Sequence, residues 1–170
     1  MPDAMPNAMP SPLPKYPLAE IKRWYLYPTF NAFLDLMVGE GERLLSSYYY
    51  ELPIKRTYIQ ATAYLVTDRK IIACEWTLDT FRADVMPFDS IERIETNFNY
   101  AGLIDPHTGE LQLKELTHRN LLLRLHFRRN WSFPNPVALP PPAELDPEKV
   151  PGHDRLMHFW KALSTVMGGK

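Results

Sequence analysis

The sequence predicts a mainly β, α+β domain: a two-layer antiparallel unit of about seven strands, plugged by one amphipathic helix at its C-terminal end. Three observations carry that expectation. Thirteen of the 17 prolines fall in two stretches, 1–17 and 134–151, so the region between them is nearly proline-free. Proline removes a backbone donor and is excluded from helix interiors and central strands, which leaves that middle region for regular structure. From about residue 42 onward, apolar and polar residues alternate with a period of two, the pattern of half-buried strands. Residues 154–167 then place Leu156, Phe159, Trp160, Leu163, Val166 and Met167 at helical spacing, with Gly168-Gly169 behind them.

The chain of 170 residues suits one domain. Its first 17 residues read as a flexible leader with a small repeat, Ala4-Met5-Pro6 and Ala8-Met9-Pro10. Residues 18–41 read as an N-terminal helical extension. Ile21, Trp24 and Tyr25 share a helical face that Pro28 ends, and Thr29 caps a second short helix carrying Phe30, Phe33, Leu34 and Met37, stopped by Gly39 and Gly41. Asp35, Glu40 and Glu42 read as a solvated end of this unit.

The strands follow in order. Residues 42–52 form the first and end at Pro53. Residues 58–67 alternate Ile59, Ala61, Ala63 and Leu65 on one face with Tyr58, Gln60, Thr62 and Tyr64 on the other. Thr67-Asp68-Arg69-Lys70 turns the chain without a glycine, and 70–78 places Ile72, Cys74, Trp76 and Leu78 inward. Residues 81–86 and 89–95 are separated by Pro87, and 111–116 is a further short strand. Residues 120–128 alternate most clearly, with Leu121, Leu123, Leu125 and Phe127 on one face. A Pro-rich crossing, 134–151, acts as a stiff spacer before the terminal helix at 152–167.

Two runs resemble a known family. Ala63-Tyr64-Leu65-Val66-Thr67-Asp68-Arg69-Lys70-Ile71-Ile72 resembles the second-to-third-strand hairpin of pleckstrin-homology-like (PH-like) domains, especially the bacterial ones. Val85-Met86-Pro87-Phe88-Asp89-Ser90-Ile91-Glu92-Arg93-Ile94 resembles the step that follows it there. The resemblance spans roughly 42–167 and implies a PH-like seven-stranded antiparallel sandwich or barrel with a C-terminal capping helix. The helices at 18–41 are then additions, and the link at about 130–152 is longer than the family requires. It also implies a binding scaffold rather than an enzyme.

The residues themselves hold no phosphate-cradling loop, no GxSxG and no HExxH, so no catalytic, cofactor or metal residue is assigned and no cofactor is expected. His153 and His158 are five apart and diverge around a helix. Cys74, the single cysteine, is expected to be buried and inert. A net charge of −1 argues against nucleic acid as a partner and gives no strong field for an acidic bilayer. The lone cysteine and the missing apolar run point to a cytoplasmic protein.

Two candidate surfaces remain. The PH-like resemblance gathers the loops after strands one, three and six at one end, where Lys55, Arg56, Arg82 and Arg119 could hold an anionic headgroup. Tyr58 stands where the headgroup-binding members carry their last basic residue, and Asp79 adds a negative charge to that rim. The second surface is aromatic. The run Tyr48-Tyr49-Tyr50 must send at least one ring outward, so Tyr48, Tyr50, Trp131 and Phe133 are candidate protein-interface residues. In the competing reading, Trp131 and Phe133 pin the crossing segment to the domain's own flank and the N-terminal helices cover the tyrosines.

The leading functional expectation is therefore a non-catalytic scaffold that binds another protein or itself. A peripheral headgroup binder is the first alternative. A small-ligand protein or enzyme using a cleft beside the N-terminal helices is the second.

Overall fold

A computed structural model of the chain describes residues 27–55, 58–112, 115, 117, 120–141 and 153–168. The leader expected at 1–17, the first part of the expected helical extension at 18–26, the cations Arg56 and Arg119, and the crossing beyond Pro141 lie outside the described residues. Helix α1 (Tyr27–Met37) leads into β1 (Leu44–Lys55), β2 (Tyr58–Thr67), β3 (Lys70–Trp76) and β4 (Phe81–Pro87). A single 3-10 turn at Phe88–Ser90 then precedes β5 (Ile91–Phe98), β6 (Leu121–Phe127), β7 (Val137–Leu139) and α2 (His153–Gly168). The strands form two antiparallel sheets, β1-β2-β3-β4 and β5-β6-β7.

The four-stranded sheet is covered on both faces, and every residue from Ala61 to Thr67 is buried. Register explains how. Tyr49, Ala63, Cys74 and Ala83 stand in one row across the sheet, and Glu51, Ala61, Trp76 and Phe81 in a parallel one. The small side chains of the first row leave a shallow trough, and α1 lies over it with Phe30 and Leu34 buried. Phe30 stacks on Trp76 at 4.7 Å between ring centroids, and Phe33 on Phe81 at 4.3 Å. The opposite face, with Tyr48, Tyr64, Val66, Ile71 and Met86, packs against Leu121, Leu123, Leu125 and Phe127 of the second sheet.

The set expected inward on β3, Ile72, Cys74 and Trp76, is buried together, whereas Leu78, expected with them, lies beyond the end of β3 and is exposed. Ala61, Ala63, Leu65, Ile72 and Cys74 face α1 rather than the other sheet. The inter-sheet core takes the more polar-looking set, Thr62 excepted, because tyrosine can bury its ring as effectively as leucine.

Neither the β2–β3 nor the β3–β4 hairpin uses glycine, and a threonine hydroxyl does the work in each. Thr67 Oγ1 accepts from the amides of Arg69 (3.1 Å) and Lys70 (3.0 Å), while Thr77 Oγ1 accepts from those of Asp79 (3.3 Å) and Thr80 (3.2 Å). Thr67 also donates to Glu42, which pairs with Lys70 Nζ at 2.9 Å and accepts from the Gly39 amide at 2.7 Å. Glu42 was expected on a solvated end, yet its side chain is only 2% exposed. Burial opposes its charged form, but Thr67, Gly39 and Lys70 together hold its carboxyl below the usual range. That knot ties the α1–β1 joint to the β2–β3 turn.

Four boundaries differ from expectation for local reasons. Pro28 does not end a helix but sits in the first turn of α1, where its missing amide donor has no role. Strand β1 runs through Pro53 because it is an edge strand, and its register with β2 shifts between Pro53 and Lys55. Residues 111–116 contribute only a bridge, Ile104 to Leu111, among the described residues. The seventh strand is instead Val137–Leu139, inside the supposed spacer. Pro136 and Pro140 flank it, both after cis peptide bonds, and Val137 and Leu139 are buried.

Helix α2 lies against β1, β2 and β6 with Leu156, Phe159 and Leu163 buried. Phe159 meets Tyr48 edge-on at 6.4 Å, and the buried Ser46 hydroxyl lies 2.7 Å from His158 Nδ1. Burial, with the nearby charges of Arg155 and Lys161, lowers the His158 pKa.

Two outcomes follow for α2. Phe159→Ala should lower the free energy of denaturant unfolding by about 3–5 kcal/mol, the usual cost of emptying a packed phenyl site. Because folding favours neutral His158, its contribution is complete above the unfolded imidazole value of 6.5 and declines as pH falls toward the lower folded value. His158→Asn, which keeps a partner for Ser46, should flatten the stability profile just below pH 6.5 relative to the parent protein.

Candidate functional site

The expected cationic end is only partly described. Arg82 opens β4 and is the cross-strand neighbour of Glu75, with its guanidinium 2.9 Å from Glu75 Oε1 and 4.8 Å from the Phe133 ring centroid. Lys55 ends β1, with its side chain outside the described residues, as are Arg56 and Arg119. Residues 118 and 119 also fall in the β5–β6 connection rather than after β6. The loop following β6 carries Arg128 and Arg129, both exposed.

The aromatic candidates do not form a surface. Tyr48 and Tyr50 are buried between the sheets, and Tyr49, the ring that alternation sends to the other face, lies in the layer under α1. Phe133 is buried and Trp131 half-buried, its ring tilted against Phe127 at 4.3 Å and near Tyr64 at 6.5 Å. The Ser132 amide donates to Asp84 at 2.6 Å, so the β6–β7 loop is pinned along β4 and these rings close the flank of the core. Alternation fixes which rings share a side, but both sides of β1 are covered, so none of the three tyrosines is free.

Groups with reactive chemistry are engaged structurally. Cys74 is buried under α1, and burial pushes its thiol well up, the inert state. His126 Nε2 lies 3.2 Å from Glu95, which also pairs with Arg124 at 3.0 Å; His126, Arg124 and Arg93 hold the Glu95 carboxyl below its usual range. His153 pairs with its neighbour Asp154 at 2.8 Å. Among the described residues there is no group of three metal-ligating side chains, and no helix is long and apolar enough to cross a membrane.

The connection from β5 to β6, in which the sequence offered Arg119 as a candidate but no aromatic surface, has a tip held by several hydrogen bonds among the described residues. Asp105 organises its tip. The carboxylate accepts from the amides of His107 (2.7 Å) and Thr108 (3.1 Å), and the backbone is bonded to Gly109 and Glu110 at 2.8 Å each. Further back, the Gln112 amide donates to Leu103 O at 2.8 Å, and Asn120 Nδ2 donates to Asn99 O at 2.8 Å. Gly102 and Gly109 both take positive φ, at 78° and 72°, where glycine is unstrained.

The result is an arm that continues the β5–β6 hairpin. It displays Phe98, Tyr100 and Ile104, exposed by 37, 52 and 41%, with the two rings 6.0 Å apart. Strand β5 at its base is paired only with β6 among the described strands. The available signal was the pair of turn sequences, Asn99-Tyr100-Ala101-Gly102 and Asp105-Pro106-His107-Thr108-Gly109, interleaved with apolar residues.

No family model matches the sequence, and no curated protein matches it. Among solved structures, the chain is similar to the hSac2 domain from human phosphoinositide phosphatase Sac2, at 12% identity and a TM-score of 0.46, over 85% of this chain and 81% of that one. It is also similar to the C-terminal domain of an unknown protein from Leishmania infantum, at 12% identity and a TM-score of 0.39, over 84% and 98% of the two chains. Likenesses this distant carry nothing about function.

If Asp105 holds the arm, Asp105→Ala should speed amide hydrogen exchange at His107, Thr108 and Gly109. Exchange in β2 and β3 should stay unchanged, and global stability should fall by less than about 1 kcal/mol.

Proposed function

We propose that this protein is a non-catalytic, PH-like scaffold that binds another protein, or a second copy of itself, through the β5–β6 arm and the adjoining edge of β5. The carrying observation is the combination of order and exposure in the arm. A slack connection exposes polar residues, whereas this one fixes its backbone by an Asx-type tip and paired amides while presenting Phe98, Tyr100 and Ile104. An edge strand beside an apolar display suits strand addition, in which backbone bonds give affinity and side chains give choice. The order of the strands, with α2 laid across β1, β2 and β6, supports the PH-like assignment.

The headgroup alternative has less behind it. The described cation at that end, Arg82, is already engaged with Glu75 and Phe133.

Sedimentation velocity over a wide concentration range tests the reading. Reversible association should appear, and Tyr100→Ser/Ile104→Ser should weaken it at least tenfold, about 1.4 kcal/mol, without changing the unfolding midpoint. A strict monomer that co-sediments with phosphoinositide vesicles, and loses that binding on Arg82→Glu, would replace this reading with the headgroup one.

A further inference from the structure

Strand β5 carries a charge pattern that is its own complement. Arg93, Ile94 and Glu95 follow one another, with Ile94 packed against the inter-sheet core and both charged side chains on the outer face, beside His126 and Arg124 of β6. The side of β5 away from β6 is unpaired among the described strands. A strand added there antiparallel brings directly opposite residues onto the same face, where unlike charges attract and like charges repel.

For two copies of β5 related by a two-fold axis, the register decides which of these occurs. Centred on Arg93, the axis sets Arg93 against itself; centred on Glu95, it sets Glu95 against itself. Centred on Ile94, it sets Arg93 of each copy against Glu95 of the other, and the symmetry makes that contact twice. Glu92 then falls opposite Thr96, so no like charges meet.

The side chains are disposed for that exchange. Arg124 at 3.0 Å and His126 at 3.2 Å hold the Glu95 carboxylate from the β6 side. Arg93 is held more loosely, 3.7 Å from its own Glu95 and 3.3 Å from His126 Nε2, with its side chain 65% exposed. It can turn to a second carboxylate without giving up a close ion pair. The register shift against β6 falls between Ile91 and Arg93, outside the Arg93–Glu95 centre. At the other end, each β5 leads into its arm, which runs on past the start of the second copy's strand and brings exposed Phe98 and Tyr100 to both ends of the joint.

We infer that the partner of the β5 edge is a second copy of this chain, paired antiparallel about Ile94 so that Arg93 and Glu95 form two reciprocal ion pairs. The inference rests on the scaffold reading and narrows it to self-association in one register.

The test uses full-length chains. Arg93→Glu and Glu95→Arg each set like charges opposite one another at both contacts, and each should weaken the self-association seen in sedimentation by about tenfold. An equimolar mixture of the two variants should regain the parent affinity as a heterodimer, because every contact between them again joins opposite charges. Unfolding midpoints of the single variants check that each still folds. An isotope-filtered NOE experiment on mixed labelled and unlabelled parent chains reads the register without any substitution, and its interchain contacts should join Arg93 to Glu95. Association unchanged by both substitutions, a mixture of folded variants that stays weak, or interchain contacts in another register would each overturn the inference. The scaffold reading then stands if Tyr100→Ser/Ile104→Ser still weakens association. A strictly monomeric parent chain overturns the inference as well and leaves that reading to a partner of different sequence.

Discussion

A sheet that is apolar on both faces has to be covered twice, and that constraint organises the molecule. Strands β2 and β3 present Ala63 and Cys74 to one side and Tyr64 and Ala73 to the other, all of them buried. One cover is the second sheet with α2; the other is α1. On the second-sheet side the β6–β7 loop brings Trp131 and Phe133 to the flank between β4 and the second sheet, where Arg82 lies over the Phe133 ring. Residues that looked like surface aromatics in the sequence are consumed in closing the core.

The covers are also tied on by polar groups at their ends. Glu42, Thr67 and Lys70 join the entry to β1 with the β2–β3 hairpin, and Ser46 with His158 joins β1 to α2. Each tie places a titratable group in a partly desolvated setting that favours one protonation state: ionised for Glu42, neutral for His158. Acid works against both, because a carboxyl held low and an imidazole held low each lose their folded-state preference as pH falls. Low pH should thus loosen the two covers before it disrupts the β2–β3 centre, whose burial does not depend on a charge.

The first five strands, the hairpins at Thr67 and Thr77, and the buried stripe of α2 were legible in the sequence because each depends on local period or turn chemistry. Which layer covers each face was not. Period-two alternation separates Ala63 from Tyr64 but does not say which of them meets the second sheet, and the more hydrophobic-looking set went to α1. Strand β7 was illegible for a different reason: three residues between prolines are too few to show a period, and only the pairing of Val137 with Leu125 defines them. The site fared worse than the fold. The aromatic candidates Tyr48, Tyr50 and Phe133 were chosen for residue type, while exposure depends on what covers them. The β5–β6 arm escaped notice because its order comes from Asp105 and from backbone pairs, which leave only scattered turn residues in the sequence.

With both faces of the larger sheet occupied and its interior rings committed, edges and outgrowths are what the described residues leave open. Of these, β5 with its arm differs from β4. The flank of β4 is engaged by Ser132 and closes on Pro87, a residue with no amide to offer a partner strand. Strand β5 runs from Ile91 to Phe98 without a proline, with its register against β6 shifting between Ile91 and Arg93, and leads straight into exposed Tyr100. Natural sheets blunt an exposed edge unless it is used, with charge, proline or a bulge. Here Glu92, Arg93 and Glu95 supply charge of both signs, which discourages random pairing yet permits a partner of matching pattern. Charge of both signs and the register shift leave the edge of β5 guarded in part rather than closed.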